Sequence, residues 1–218
     1  MSLSFSQKAA GAWALVTGRY DHRIDTDLER WQGRLFLTLY DHGWLRRAWR
    51  NEGRIAEGLY RANQPDATRL AEWKARGIVD VLSLRPARGI VQAFETEACD
   101  ALGLRLLNAP LPTRVPPQAR SLLRLIDQFD ALRRPALIHC KSGADRTGLA
   151  AAIWAIHVEG KSVQEARRAL SLRHLHLKWS KTGVLDRVLD LYEDRIEAQG
   201  PIAIRDWIAT EYDSAALL

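Results

Sequence analysis

The stretch Ala136-Leu137-Ile138-His139-Cys140-Lys141-Ser142-Gly143-Ala144-Asp145-Arg146-Thr147-Gly148 decides the reading of this 218-residue chain. Its first four residues form a short apolar run that reads as a buried strand, and Leu149 to Val158 read as an apolar helix. Between them lies a loop with the order cysteine, five residues, arginine, hydroxyl. Requiring glycine at the fourth position and Ser or Thr after the arginine lowers a chance match to the order of one in a thousand. A loop this short can curl its amides inward, making an anion nest at the positive end of the following helix. Gly143 supplies a backbone conformation closed to other residues and allows close approach. Arg146 can fork onto two oxygens of one anion. The same positive field lowers the pKa of Cys140 and makes it a nucleophile. Thr147 is placed to hydrogen-bond that sulfur, and His139 to hold the backbone around it.

Working outward, strand-like and helix-like segments alternate. Leu59-Tyr60-Arg61 is a short strand, and a helix follows from the N-cap Asp66 to the stop Gly77. Ile78 to Leu84 is a buried strand, Val91 to Leu102 a helix and Leu104 to Leu107 a strand. Pro116-Pro117 opens a helix whose Leu122, Leu125, Ile126 and Phe129 recur at helical spacing. The pattern predicts an α/β fold, a central, mostly parallel sheet flanked by helices. In such sheets ligands sit beyond the carboxyl ends of strands, which again points to the loop after His139.

The first 55 residues have a different texture. They hold Trp13, Trp31, Trp44 and Trp49, and a helical pattern of Leu28, Trp31, Leu35 and Leu39, interrupted at Gly43. Residues 1–55 are read as an N-terminal helical extension, and residues 56–218 as the main domain with a helical C-terminal cap. The arginines flanking the aromatics (Arg30, Arg34, Arg46, Arg47, Arg50) would suit peripheral contact with an anionic membrane. The plainer expectation is that the apolar face packs on the following domain.

The signature resembles that of the cysteine-dependent protein tyrosine and dual-specificity phosphatases, His-Cys-x5-Arg-Ser/Thr, at His139, Cys140, Arg146 and Thr147. The run Cys-Lys-Ser-Gly-Ala-Asp-Arg-Thr-Gly is similar to that of compact bacterial members and of lipid- and inositol-phosphate phosphatases. Leu59 to Pro65 and Val81 to Arg85 resemble the entry of small atypical dual-specificity enzymes, so the likeness covers about Glu57 to Asp190. It implies a dual-specificity phosphatase-like fold and phosphomonoester hydrolysis through a phosphocysteine, with no metal and no cofactor. Cys140 and Arg146 are the implied catalytic residues. Lys141, Ser142, Gly143, Ala144, Thr147 and Gly148 form the implied substrate cradle. The family's general-acid aspartate belongs on a loop that here reads Pro110 to Pro117 and holds no carboxylate. Some lipid phosphatases of the superfamily use an acid inside the signature loop, which nominates Asp145. The substrate expected first is a phosphoprotein, tyrosine or dual-specificity; the alternatives are a lipid or inositol phosphate, and a phosphate-binding module with little turnover.

Composition agrees with an anionic partner without naming it. Net charge is +6 and pI about 9.6, with 26 arginines against 6 lysines. At 47% hydrophobic and 27% charged, the chain excludes wholesale disorder and a multi-span membrane protein. Two cysteines make no disulfide framework or four-cysteine zinc site, which suggests a reducing cytoplasm. The start, Met1 to Arg19, has a short apolar run (Ala9 to Thr17) and makes a poor signal for export. Arg61, Arg85 and Arg114 are read as ordinary surface or ion-paired arginines. Arg173 to Lys181 is read as a solvated loop near the pocket rim, where His174 and His176 lack a third metal ligand. No nucleic-acid partner is expected. Gly160-Lys161-Ser162 reads as a helix stop with a capping box, Ser162 to Glu165, and Cys99 as inert core.

Overall fold

Strand β5, Ala136–His139, is buried along its whole length because it is central to a five-stranded sheet. The structure, a computed structural model, describes residues 4, 6–9 and 24–217. Strands β1 (Gly53–Ala56), β2 (Leu59–Ala62), β3 (Asp80–Ser83) and β4 (Arg105–Asn108) complete it in the order β1-β2-β5-β3-β4. The sheet is parallel except for β1, which pairs antiparallel with β2 through a tight hairpin at Glu57-Gly58. β1 was not foreseen: Gly-Arg-Ile-Ala lacks the alternation that marks a strand, and only its pairing with β2 makes it one.

Side chains alternate across β5. Ala136 and Ile138 face a large core with Leu122, Leu125, Ile126, Phe129, Leu149 and Ile153, whereas Leu137 faces a smaller one with Leu70, Trp73, Ile78, Val81 and Cys99. Helices Ala119–Asp130, Asp145–His157, Asp186–Gln199 and Ile204–Thr210 therefore cover one face, and Ala67–Ala75 and Gly89–Leu102 the other. The chain winds from β2 through β3 to β4 on one face, then returns to β5 on the other. That reversal opens a crevice at the carboxyl end of β5.

The expected cues act as read. Asp66 Oδ1 accepts from the Arg69 amide at 3.0 Å to start its helix. Ser162 and Glu165 cap each other reciprocally. Leu122, Leu125, Ile126 and Phe129 are the buried stripe of their helix. In the extension, a capping box at Thr26 starts helix Asp27–Leu39, and a second short helix begins at Gly43. Arg30 ties the longer one to Glu97, yet Leu39, Tyr40, Trp44 and Leu45 stay about half exposed. Trp13 and residues 10–17 of the N-terminal apolar run lie outside the described residues. No helix among the described residues is long and apolar enough to cross a membrane.

The amino end of the sheet is fastened by Asp80, which is fully buried. It accepts hydrogen bonds from Arg105 on β4, and from both the amide and the guanidinium of Arg133 in the turn before β5. Burial alone would raise its pKa; the hydrogen bonds and charges of the two arginines hold it below the usual carboxylate value. Asp80→Asn leaves two guanidinium groups short of an anion, and should cost about 3 kcal/mol of unfolding free energy. Denaturant unfolding measures that loss, and activity per folded molecule should stay at wild type, because Asp80 lies at the end of the sheet away from the crevice.

Candidate active site

Cys140 follows the last residue of β5 and is 1% exposed. The next four residues curl, and the helix then starts at Asp145, several residues earlier than its apolar run suggested. The first helical turn therefore holds Asp145, Arg146 and Thr147, with its amides directed back at the loop. The Gly143 amide donates to Cys140 Sγ at 3.2 Å. Burial pushes the thiol up; the charge of Arg146, the Thr147 hydroxyl and amide and the Gly143 amide more than offset it, and its pKa lies below the ordinary value. Cys99 shows the opposite case: burial, Glu95 and Asp100 push its thiol up to about 12, which leaves it inert.

Gly143 has φ +73°, which favours glycine. A Cβ there would also sit 2.7 Å from the Ala62 carbonyl oxygen and 2.8 Å from the Asn63 amide nitrogen. The absence of a side chain thus lets the loop approach the end of β2 closely. Gly148 also lies in close packing. It is buried, and a Cβ would meet Leu170 Cδ2 at 2.7 Å, so its lack of a side chain serves packing. Thr147 is fully buried beneath the loop.

The loop is braced from all sides. Gln64 N donates to Lys141 O at 3.2 Å, and Asn51 Nδ2 to Ser142 O at 2.9 Å. The Ser142 hydroxyl accepts from the Ala144 amide at 3.4 Å. Arg61, expected at the surface, is 2% exposed and lies against the loop's underside. Its Nη2 donates to Gly143 O at 2.7 Å and Ala144 O at 3.3 Å, and its Nη1 to Ala169 O. Burial brings its pKa down to about 10, with the Cys140 charge working the other way. Its position at the end of β2 was the available signal, but only the pairing of β2 with β5 puts it under the loop. Arg146 donates to Leu84 O at 3.3 Å and has no carboxylate partner among the described residues, which leaves its charge free for an anion. His139 is fully buried, with Nε2 2.7 Å from Glu95 Oε1 on the helix Gly89–Leu102.

The segment around His176 departs most from expectation. His176 is 2% exposed, where a solvated loop was foreseen. Its Nδ1 is 2.8 Å from Asp145 Oδ1 and its Nε2 2.6 Å from Asp186 Oδ2. Thr182 Oγ1 also donates to Asp145 Oδ1, at 2.9 Å. Burial works against the imidazolium, but hydrogen bonds and charges of both carboxylates raise its pKa to about 9. Burial raises Asp145 and its bonds to His176 and Thr182 outweigh it, so Asp145 lies below the usual carboxylate value. Asp145 is thus held ionised here, and its bonds to His176 and Thr182 brace the start of the helix.

His176 contributes stability in full below its unfolded pKa of about 6.5 and loses it as pH rises through about 9. Asp145 has the reverse dependence: its contribution is present above the unfolded carboxylate pKa and lost as pH falls through its lowered one. Thermal unfolding across pH 6 to 10 should show the alkaline decline in wild type. His176→Gln should be less stable by about 3 kcal/mol at pH 6 and lack that decline.

No protein of curated function matches the chain. The sequence model of the tyrosine phosphatase family matches residues 92–162, a span that contains the whole signature loop. Among solved structures, a mutant form of Tk-PTP shares 23% identity and a TM-score of 0.53, over 67% of this chain and 97% of that one. Kinase associated phosphatase shares 18% identity and a TM-score of 0.52, over 65% and 88%. The core catalytic domain of the PP-IP phosphatase SIW14 from S. cerevisiae shares 18% identity and a TM-score of 0.51, over 68% and 91%. The likenesses to these structures show that the chain has the fold of tyrosine and dual-specificity phosphatases, and the family match covers the segment that carries the signature loop.

Proposed function

We propose that this phosphatase hydrolyses phosphotyrosine in proteins through a phosphocysteine intermediate. The observation that carries the reading is a buried Cys140 sulfur of lowered pKa, beneath a curled loop whose Arg146 has no carboxylate partner among the described residues. The sulfur attacks phosphorus and the bond to the leaving oxygen breaks. Arg146 and the loop amides hold the equatorial oxygens through the transition state. Water then attacks phosphorus, the P–S bond breaks and inorganic phosphate leaves.

The substrate class follows from the leaving group. The stretch Pro110 to Pro117 has no carboxylate, and Asp145 is held ionised. A departing oxygen then receives little proton assistance. The phenol of tyrosine, with a pKa of about 10, tolerates this far better than an alkyl alcohol does. A second reading, hydrolysis of a lipid or inositol phosphate, draws on Lys141, Arg85 and Arg46, which cluster beside the loop.

On p-nitrophenyl phosphate, Cys140→Ser should lose at least about a thousandfold in kcat. Equal rates would make the protein a phosphate-binding module. Asp145→Asn tests the brace: rates on aryl and alkyl phosphates should fall by the same factor, together with the unfolding temperature. A loss confined to the alkyl ester would restore Asp145 as the acid.

A further inference from the structure

The turn between the two helices of the extension brings a carboxylate to the catalytic loop. Asp41 is 5% exposed, although it lies in a segment rich in exposed residues. Arg85 forks onto it, with Nη1 2.8 Å from Oδ2 and Nη2 3.0 Å from Oδ1. Arg46 Nη1 lies 2.8 Å from Oδ2, and its guanidinium also donates to the Asp41 carbonyl. Lys141 Nζ lies 3.2 Å from Oδ1. Next to Asp41, His42 takes a left-handed backbone conformation (φ +60°), uncommon for a residue with a side chain.

Charge does not balance at this cluster. Arg46, Arg85 and Lys141 share one carboxylate and make no other ion pair among the described residues, so two positive charges are left over. The surplus sits against the reaction centre. Lys141 is bonded in sequence to Cys140, and Arg85 follows Leu84, whose carbonyl accepts from Arg146. Arg46 and Arg85 are mostly buried at 12% and 13% side-chain exposure, while Lys141, at 38%, opens the cluster to solvent. The Arg85 guanidinium, already forked onto a planar carboxylate, is pre-organised for another one.

Resting on the phosphotyrosine reading, we propose that Asp41 occupies a subsite for an acidic residue flanking the phosphotyrosine of a protein substrate, and that this residue takes Lys141 and Arg85 from it. An extended peptide advances about 3.4 Å per residue, so a neighbour of the phosphorylated position lies within reach of the residue beside Cys140. The subsite selects acidic phosphopeptides over neutral ones, and Asp41 sets the threshold an incoming anion must exceed.

The test compares two phosphotyrosine peptides that differ only in Glu or Gln at the flanking positions, read as the ratio of their kcat/KM values. Any general loss of activity in a variant cancels in that ratio. Wild type should favour the acidic peptide about tenfold, mainly through KM, and the preference should shrink from 20 to about 300 mM salt. Arg85→Gln should bring the ratio close to one, and Asp41→Asn should raise it several-fold by removing the internal competitor. A ratio near one in wild type, or one unchanged in both variants, overturns the subsite while leaving the phosphatase reading intact. So does a ratio near one accompanied by strong preference for an inositol bisphosphate over an inositol monophosphate, which assigns the cluster to a second phosphate. Failure of wild type to turn over either peptide, or turnover persisting in Cys140→Ser, overturns the phosphotyrosine reading itself.

Discussion

Everything near the active site answers one requirement: a sulfur anion must be stable where water hardly reaches it. Burial by itself drives the Cys140 thiol toward its neutral form, so compensating charge has to be fixed close by. Arg146 supplies it from above, and Arg61 adds a second guanidinium below, with Nη2 spent on loop carbonyls and no carboxylate partner among the described residues. The Gly143 amide completes the setting at 3.2 Å from the sulfur. A central strand, a short loop and a helix starting at Asp145 bring these groups together without long-range adjustment of any one of them.

Such a concentration of positive charge would push the loop open, and carboxylates at its margin hold it. On one side Asp145 is tied to His176, which is shared with Asp186, so that two acids and an imidazolium lock the helix start to the segment before helix Asp186–Gln199. On the other side Asp41, from the extension, holds Lys141, Arg85 and Arg46. The two carboxylates differ in what they leave behind. The Asp145 group, two carboxylates around one buried imidazolium, keeps no positive charge to offer, as suits a brace. The Asp41 group keeps a positive excess and an edge open to solvent, as suits a binding surface.

Much of the scaffold was legible in the chain. Strand β5 fell where Ala136 to His139 predicted, and helix Ala119–Asp130 showed its stripe through Leu122, Leu125, Ile126 and Phe129. Helix Ala67–Ala75 lay between its cap at Asp66 and the stop at Gly77. These depend on periodicity and on local hydrogen bonds, which sequence neighbours determine. Strand β1 was not legible, because its only strand-forming influence is a partner in a hairpin. Arg61 and His176 were misread for a related reason: composition assigns arginine and histidine to the surface, and here the fold encloses them, Arg61 against backbone carbonyls and His176 between two carboxylates, whereas Arg85 is ion-paired as expected.

The sequence by itself determined the chemistry: a cysteine, a glycine in a left-handed position and an arginine, spaced so that a strand end and a helix start enclose an oxyanion. That information is local, carried by nine consecutive residues from Cys140 to Gly148. Only the tertiary structure decided which charges surround the loop, because Asp41, Arg61, Arg85, His176 and Asp186 come from segments up to about 100 residues distant along the chain. Coulombic and hydrogen-bonding energies depend on separation in space, which packing of the two faces of the sheet establishes and no stretch of sequence states.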